Sequence, residues 1–242
     1  LSQIMDGGLD VAKKVGIPIL GGHTLKDPVP KYGMVVTGRV EKDNLTLNST
    51  AKAGDVLILT KPLGLGIISP AIKKDKSPDF IVDEAVKTMT HLNRGAAEAM
   101  NAIGVHACTD VTGYGLLGHL LEMCQASEVS ATLEFNTIPL IQGVYELAQK
   151  GFVPGGTKRN MDYVSSHVNF SKTLSKEQRY LLADAQTSGG LLISVAKEKV
   201  QDLQNLLNEN GCLTSSIIGN IYNLAEFSIY IDGKFSQIVY IT

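Results

Sequence analysis

The run from Cys108 to His119, CTDVTGYGLLGH, constrains this chain more than any other part of its sequence. A short apolar strand, Val105–Cys108, leads to the carboxylate of Asp110, and a glycine-rich turn then opens a helix. A carboxylate at a strand end can hold a hard cation such as Mg²⁺, while the free amides of the helix start bind phosphate. The run lacks the dinucleotide pattern G-x-G-x-x-G and the P-loop pattern G-K-[ST]. It indicates a phosphate-handling enzyme of another nucleotide fold, with a helix-capping role as the alternative for Asp110.

The beginning of the chain alternates between helix and strand patterns. Apolar residues at helical spacing predict a helix from Leu1 to Val15, closed by a left-handed cap at Gly16. Ile17–Leu20 is typical of a short buried strand, and the alternation over residues 32–40 predicts a strand with two different faces. The chain begins with Leu1 inside a helical pattern, so we expect its native start to lie upstream.

The periodic pattern weakens around residues 48–54, which predicts a domain boundary and two domains, residues 1–49 and 50–242. Residues 55–60 then form a continuous apolar strand of the kind that is covered on both faces. A hairpin predicted across Asp232-Gly233 does not suit a wholly parallel sheet, so the fold class we expect is α+β. The other elements predicted for the second domain are helices at 67–72, 81–99, 139–150 and 200–207, a helix running through Cys124, strands at 131–135 and 191–195, and an irregular polar loop at 151–175.

Three further segments combine glycines with polar side chains. Gly21-Gly22-His23-Thr24 follows a predicted strand, and its amides and hydroxyl can donate to phosphate or a base, or simply form a capped turn. The segment 155–160 places Lys158 and Arg159 beside flexible backbone, as in a phosphate site or a solvated loop. Residues 186–188 can orient water or phosphate, but we favour a structural role because no base is paired with Ser188.

Composition excludes several classes of function. The net charge is −2 and no basic block is present, which argues against nucleic-acid binding. The apolar runs are too short to cross a bilayer, so no membrane association is expected. Three widely spaced cysteines suit a reducing cytoplasm and form neither a disulfide framework nor a zinc site. We interpret Cys108 as a buried strand residue rather than a nucleophile.

The motifs occur together in one known family. Residues 21–24, the segment YGMVVTG at 32–38 and LTKPLG at 59–64 resemble selenophosphate synthetase, that is, selenide, water dikinase. The same resemblance covers TDVTGYGLLGH at 109–119, VPGGTKRN at 153–160 and QTSGG at 186–190. Aminoimidazole ribotide synthetase, the hydrogenase maturation factor and thiamin-phosphate kinase share the layout but not this full set of motifs.

The resemblance implies a fold, a reaction and site residues. The fold is the two-domain aminoimidazole ribotide synthetase-like architecture, with a complete C-terminal α/β two-layer domain and, here, part of an N-terminal domain. In the homodimer the mixed sheets of the N-terminal domains join into a β-barrel, with ATP near the interface. The reaction converts ATP, selenide and water into selenophosphate, AMP and phosphate, with Mg²⁺ and usually K⁺. By position, Asp110 is a Mg²⁺ ligand, and Gly21, Gly22, His23 and Thr24 contact ATP bound mainly to the partner subunit.

The chain departs from the family at its front. The reactive Cys or selenocysteine, its nearby Lys and the other metal-binding aspartates of the family precede the motif matched at Gly21, and none is present here. We therefore expect these 242 residues alone not to consume ATP. A sister enzyme acting on another acceptor, and a non-catalytic paralogue that dimerises or regulates, are the alternative functions.

Overall fold

The structure, a computed structural model, describes residues 1–233 and 240–241. Its contacts divide the chain into two compact units, Leu1–Leu45 and Thr46–Thr242. The domain limits of 1–49 and 50–242 stay a prediction.

The first unit begins with helix α1, Ser2–Val15, as the apolar spacing predicts. Gly16 ends it in the left-handed region, with φ 73°, and its amide donates to the carbonyl oxygens of Ala12 and Lys13. This confirms the predicted glycine cap, because a residue without a Cβ enters that region at little cost. A 3₁₀ turn follows at Lys42–Asn44.

The strands predicted at residues 17–20 and 32–40 are not formed. Alternation of apolar and polar side chains specifies the two faces of a strand, but a strand also requires a hydrogen-bonded neighbour. Within the described residues, neither segment pairs with another strand. Apolar side chains here are consequently exposed, with Leu20 at 93% and Val35 at 96% of their maximal exposure.

The second unit contains one large mixed sheet and a small two-stranded one. Seven strands follow the order β2-β6-β1-β7-β3-β8-β5, and β4 pairs with β9. The central pairs β6–β1, β1–β7 and β7–β3 are antiparallel, whereas β3–β8 and β8–β5 are parallel. The strands are β1 Val56–Leu59, β2 Ala107–Asp110, β3 Val129–Glu134, β4 Leu140–Ile141, β5 Val168–Phe170, β6 Leu191–Val195, β7 Ser216–Asn223, β8 Ile229–Asp232 and β9 Tyr240–Ile241.

Strand β1 is buried on both faces, as its unbroken apolar sequence predicts. Leu57 and Leu59 pack into the larger hydrophobic cluster, while Ile58 packs on the opposite face with Ala99 and Leu203. Helices therefore cover both faces of the sheet at strand β1. The helices of the second unit are α2 Leu65–Lys73, α3 Asp79–Thr90, α4 Arg94–Ile103, α5 Gly115–Ala126, α6 Val144–Gln149, α7 Gly155–Val164, α8 Lys176–Leu182 and α9 Val200–Glu209.

The helix predicted over residues 81–99 is two helices, α3 and α4. His91 leaves the helical region, with φ −69° and ψ 127°, and its carbonyl accepts a hydrogen bond from Lys61 Nζ. The Asn93 side chain donates to the carbonyl of Gly189. Both contacts come from distant segments, so the apolar spacing alone does not reveal the break.

The helix predicted over 139–150 is also wrong in its extent. Leu140–Ile141 forms strand β4, and α6 begins only at Val144, after Gly143 at φ 81°. The loop predicted at 151–175 contains helix α7 and strand β5. Its two glycines occupy the first turn of α7 after Pro154, where helix-breaking residues cost less than in the interior.

The hairpin predicted across Asp232-Gly233 is not supported. Its turn extends into residues 234–239, which lie outside the described residues. Strand β8 is paired on both sides, with β3 and with β5. The described part of the second hairpin strand, β9, pairs in parallel with β4.

Candidate functional site around Asp110

Asp110 is the last residue of strand β2 and lies opposite Leu191 of β6. Its side chain is exposed, and its Oδ2 atom accepts a hydrogen bond from the Thr112 hydroxyl at 3.1 Å. Helix α5 begins five residues later, at Gly115, with Tyr114 as the N-cap residue and no side-chain cap. Asp110 is therefore not the cap of α5, and its exposed side chain forms no hydrogen bond with the first amides of that helix.

The turn after Asp110 packs closely against the segment that follows α8. Gly115 has φ +71°, and a Cβ built on it would lie 2.6 Å from the carbonyl carbon of Ala183. A larger residue therefore meets both backbone strain and a collision. The backbone amide of Gln186 donates to the Thr112 carbonyl at 2.9 Å, and the backbone amide of Val111 donates to the Gly190 carbonyl at 2.8 Å.

Two side chains of that segment occupy the N-terminus of helix α2. Gln186 Oε1 accepts from the amides of Gly64 and Leu65 at 3.1 and 3.2 Å, and Asp184 Oδ2 accepts from Ile67 at 3.1 Å. These amides are the ones that a helix leaves unsatisfied, and they would otherwise attract an anion. The structural role favoured for Gln186 is confirmed, although the amides belong to a helix start and not to a strand.

Asp184 is fully buried, and burial raises the pKa of its carboxyl to about 6. The hydroxyl of Thr157 donates a hydrogen bond to its Oδ1 atom at 2.6 Å. This bond, and the hydrogen bonds that Asp184 accepts from backbone amides, lower the pKa and so oppose the effect of burial. Since these donors prefer the ionised form, Asp184 holds a charge in the interior near neutral pH. It joins α2, α7 and the segment after α8 at one point.

The segment 155–160, expected as a phosphate loop or a solvated loop, is the first part of α7. Thr157 and Asn160 face inward, and Asn160 Nδ2 donates to the carbonyl of Gly113 at 2.9 Å and of Ala183 at 3.1 Å. Lys158 and Arg159 are exposed. The motif residues therefore divide between fixing the Asp110 turn and presenting positive charge to solvent.

His119 lies on α5, behind the carboxylate of Asp110. It is 8% exposed, and its Nε2 atom is 3.4 Å from the Thr112 hydroxyl. Burial lowers the pKa of His119, while the charges of Asp110 and Glu122 act in the opposite direction. The ring of Tyr114 contacts His119 edge to face, at 5.9 Å between ring centres.

Cys108 lies in strand β2, as expected, but its side chain is partly rather than fully buried. Burial, with a smaller contribution from the charge of Asp110, raises the pKa of its thiol to about 12. A thiolate is the nucleophilic form, so the raised pKa opposes a role for this thiol as a nucleophile at neutral pH.

A metal ion at this site would obtain few ligands from the described residues. Residues 1–233 and 240–241 contain no group of three or more His, Cys, Asp or Glu side chains able to hold one. Asp110 supplies a single exposed carboxylate oriented by Thr112. One carboxylate fits Mg²⁺, which commonly binds one or two protein carboxylates together with waters and phosphate oxygens.

The segment Gly21-Gly22-His23-Thr24 belongs to the first unit and is exposed throughout. A Cβ on Gly21 or Gly22 would meet no atom within 4 Å. This open backbone leaves room for a ligand, and its role stays a prediction. In the described part of the chain, no helix is long and apolar enough to cross a membrane.

Sequence comparisons place both units in known domains. Residues 1–40 match the N-terminal domain of AIR synthase related proteins, and residues 52–232 match their C-terminal domain. Among solved structures, the hydrogenase maturation protein HypE in complex with ATP is similar, with a TM-score of 0.58 and 14% identity over 83% of this chain and 56% of that one. Thiamine-monophosphate kinase from Stenotrophomonas maltophilia is similar with a TM-score of 0.56 and 16% identity, over 81% and 56% of the two chains. At such identities these likenesses support the fold alone.

Several relatives of higher sequence identity are named selenide, water dikinase. The protein from Caldanaerobacter subterraneus subsp. tengcongensis is 47% identical over 96% of this chain and 67% of its own length. Those from Myxococcus xanthus and Clostridioides difficile are 49% and 43% identical, over 91% and 93% of this chain and 63% and 65% of their own lengths. The chain thus spans about two thirds of the length of these relatives. By this similarity and the domain matches, the chain belongs to the selenide, water dikinase family of AIR synthase related proteins.

Proposed function

We propose that the whole protein synthesises selenophosphate, converting ATP, selenide and water into selenophosphate, AMP and phosphate. The observation that carries this proposal is the 47% identity to a selenide, water dikinase over 96% of the chain. The fold supports it, because HypE in complex with ATP has a similar structure. Cytoplasmic location, which the cysteine content favours, is part of the same proposal.

We further propose Asp110 as a Mg²⁺ ligand of that reaction. Its carboxylate is exposed at the end of β2, and the Thr112 hydroxyl holds Oδ2 from one side. When bound, Mg²⁺ would neutralise phosphate charge, which is the main requirement of phosphoryl transfer. The protein's own contribution here is to fix the carboxylate, through the contacts of the Asp110 turn with Asn160 and Gly190.

Gly21, Gly22, His23 and Thr24 are proposed to contact ATP bound mainly to a partner subunit, in a homodimer formed by the N-terminal domains. Their exposure and the open space around both glycines support contact with a ligand. K⁺ is proposed as a second cation on the family resemblance only.

The experiment that tests the proposed function is product identification. The protein as its gene encodes it is incubated with ATP, Mg²⁺ and selenide under anaerobic conditions, and ³¹P NMR follows the phosphorus-containing products. Selenophosphate, AMP and phosphate appearing in equal amounts is the expected result. ADP as the sole nucleotide product, or turnover that ignores selenide, would show a different reaction. The same assay on residues 1–242 alone is expected to give no AMP.

A further inference from the structure

Lys61 is a buried charge that the proposed function does not use. It follows strand β1 and is 1% exposed, with its ammonium among three backbone carbonyls. Nζ donates to Thr88 O at 3.0 Å, to His91 O at 2.6 Å and to Ser188 O at 2.7 Å. Within the described residues, no carboxylate forms an ion pair with it. A lysine is seldom buried without such a partner.

The three carbonyls match the ammonium form of Lys61. An ammonium group has three N–H donors, whereas a neutral amine has two and would leave one of the three carbonyls without a hydrogen bond from Lys61. Burial lowers the pKa of Lys61 to about 8, so the group still carries its proton near neutral pH. The geometry therefore holds an internal monovalent cation in a cage of carbonyl oxygens.

Two of the carbonyls belong to the end of helix α3. Thr88 lies in its last turn and His91 is its C-cap residue, so both carbonyls are at the end where a helix lacks internal partners. A cation at this end also interacts favourably with the helix dipole. Lys61 thus caps the C-terminus of α3, at the point where the helical conformation is interrupted before α4.

The third carbonyl belongs to a strained turn that contacts the Asp110 segment. Ser188 has φ 53°, which is uncommon for a residue with a side chain. The next two carbonyls of the turn accept from Asn93 Nδ2 and from the Val111 amide, each at 2.8 Å. A Cβ on Gly189 would collide with the carbonyl of Val111, so the two segments pack without a gap.

We propose that Lys61 is a positioning residue for Asp110, acting as an internal ammonium ion that fixes residues 188–190 and, through them, the backbone at Val111. The part that concerns Asp110 rests on the proposed function. A consequence is specific to this chemistry: removal of the side chain beyond Cβ leaves a cage that binds a primary alkylammonium ion. The group removed in Lys61→Ala has the composition of n-propylammonium, with three carbons and the nitrogen.

The test compares Lys61→Ala with two matched variants. Lys61→Met keeps most of the side-chain volume but has no donor and leaves no space for the amine. Lys199→Ala removes an exposed lysine whose Nζ also donates to two backbone carbonyls, those of Ile103 and Gly104. Each protein is measured in n-propylammonium chloride and, at equal ionic strength, in tetramethylammonium chloride, which cannot donate a hydrogen bond.

The first measurement is hydrogen exchange of the Val111 amide relative to that of Leu207 in α9. We expect Lys61→Ala to accelerate exchange at Val111 by about tenfold or more relative to Leu207, through local opening of the turn. Propylammonium is expected to restore protection in Lys61→Ala only, and tetramethylammonium in none of the variants. Unchanged protection of Val111, or equal effects of the two salts, would overturn the proposal.

The second measurement is the Mg²⁺ concentration that half-saturates AMP formation by the protein as its gene encodes it. Lys61→Ala is expected to raise it about tenfold, as loss of an outer support for a metal ligand does, and propylammonium to lower it again. Rescue at Val111 with an unchanged Mg²⁺ requirement would refute the link to Asp110. If Asp110 itself proves dispensable, the proposed metal site fails while the exchange result still decides the role of Lys61.

Loss of folding in Lys61→Ala does not remove the test. Recovery of soluble, cooperatively melting protein when it is refolded in propylammonium, and not in tetramethylammonium, would support the proposal. If neither salt restores folding of Lys61→Ala, the exchange measurement on Lys61→Met decides. Wild-type protection of the Val111 amide in Lys61→Met would overturn the proposal, whereas loss of protection at Val111 without loss at Leu207 would support it.

Discussion

The buried carboxyl of Asp184 is expected to make the stability of the protein depend on pH in an unusual direction. Its ordinary pKa is 3.8, and burial raises it to about 6 in the folded protein. The folded state therefore binds the proton more tightly than the unfolded state does. The resulting stability is fully present below pH 4 and is lost as pH rises through 6. About two pKa units correspond to about 3 kcal/mol of unfolding free energy.

Asp184→Asn removes this titration while keeping the shape of the side chain. An Asn oxygen can still accept from the Ile67 amide, and the Thr157 hydroxyl can reverse to accept from the new NH₂ group. We expect the stability of the variant relative to the wild type to rise by about 3 kcal/mol between pH 4 and pH 8. For a chain of this size that is about 6–12 °C in the difference between the two melting temperatures.

The assay is thermal unfolding of both proteins across that pH range, with Asp232→Asn as the control. Asp232 is also an aspartate at the end of a strand, but it is exposed. Its replacement is expected to leave the pH profile nearly parallel to that of the wild type. Parallel profiles for Asp184→Asn as well would refute the reasoning, since they would show that the buried carboxyl titrates alike in both states.

Three further predictions concern the same part of the molecule. Gly115→Ala is expected to lower the unfolding free energy by about 1–3 kcal/mol, because the backbone of residue 115 has φ +71° and an added Cβ would collide with the backbone of Ala183. Chemical denaturation measures this change in unfolding free energy. Thr157→Val is expected to cost about 1–3 kcal/mol, because an Asp184 oxygen loses its donor, and to move the pH midpoint assigned to Asp184 upward. Cys108 is expected to react with iodoacetamide at pH 8 far more slowly in the folded than in the unfolded protein, as mass spectrometry of the alkylated peptide would show.

Local patterns predicted the elements whose determinants are local. Helix α1 ends at Gly16 and strand β6 begins after Gly189-Gly190, as the glycines and apolar spacing indicate. The strands expected at 17–20 and 32–40 failed because pairing depends on a neighbour that the pattern does not specify. Helix α7 was missed because Gly155-Gly156 is typical of a loop, and nothing nearby shows that Thr157 and Asn160 face the interior.

The candidate site could be predicted only in part, because some of its residues are adjacent in the sequence and others are distant. Asp110 stands out because strand, carboxylate and glycine turn are consecutive in the sequence. The residues that support it are distant in the sequence. The α2 amides are separated by 117–122 positions from Asp184 and Gln186, which accept their hydrogen bonds, and Lys61 is separated by 127 positions from Ser188. A lysine at the end of an apolar strand was the only local sign of the carbonyl cage.

The most direct test of the account is the Mg²⁺ dependence of selenide-dependent AMP formation by Asp110→Asn, compared with Asp232→Asn, in the protein as its gene encodes it. We expect Asp110→Asn to lose at least about 100-fold of its activity at low Mg²⁺, with an unchanged melting temperature, because a ligand is lost but no packing. Asp232→Asn is expected to behave as the wild type. Wild-type turnover by Asp110→Asn at the same low Mg²⁺ concentration would contradict the assignment of Asp110 as a metal ligand.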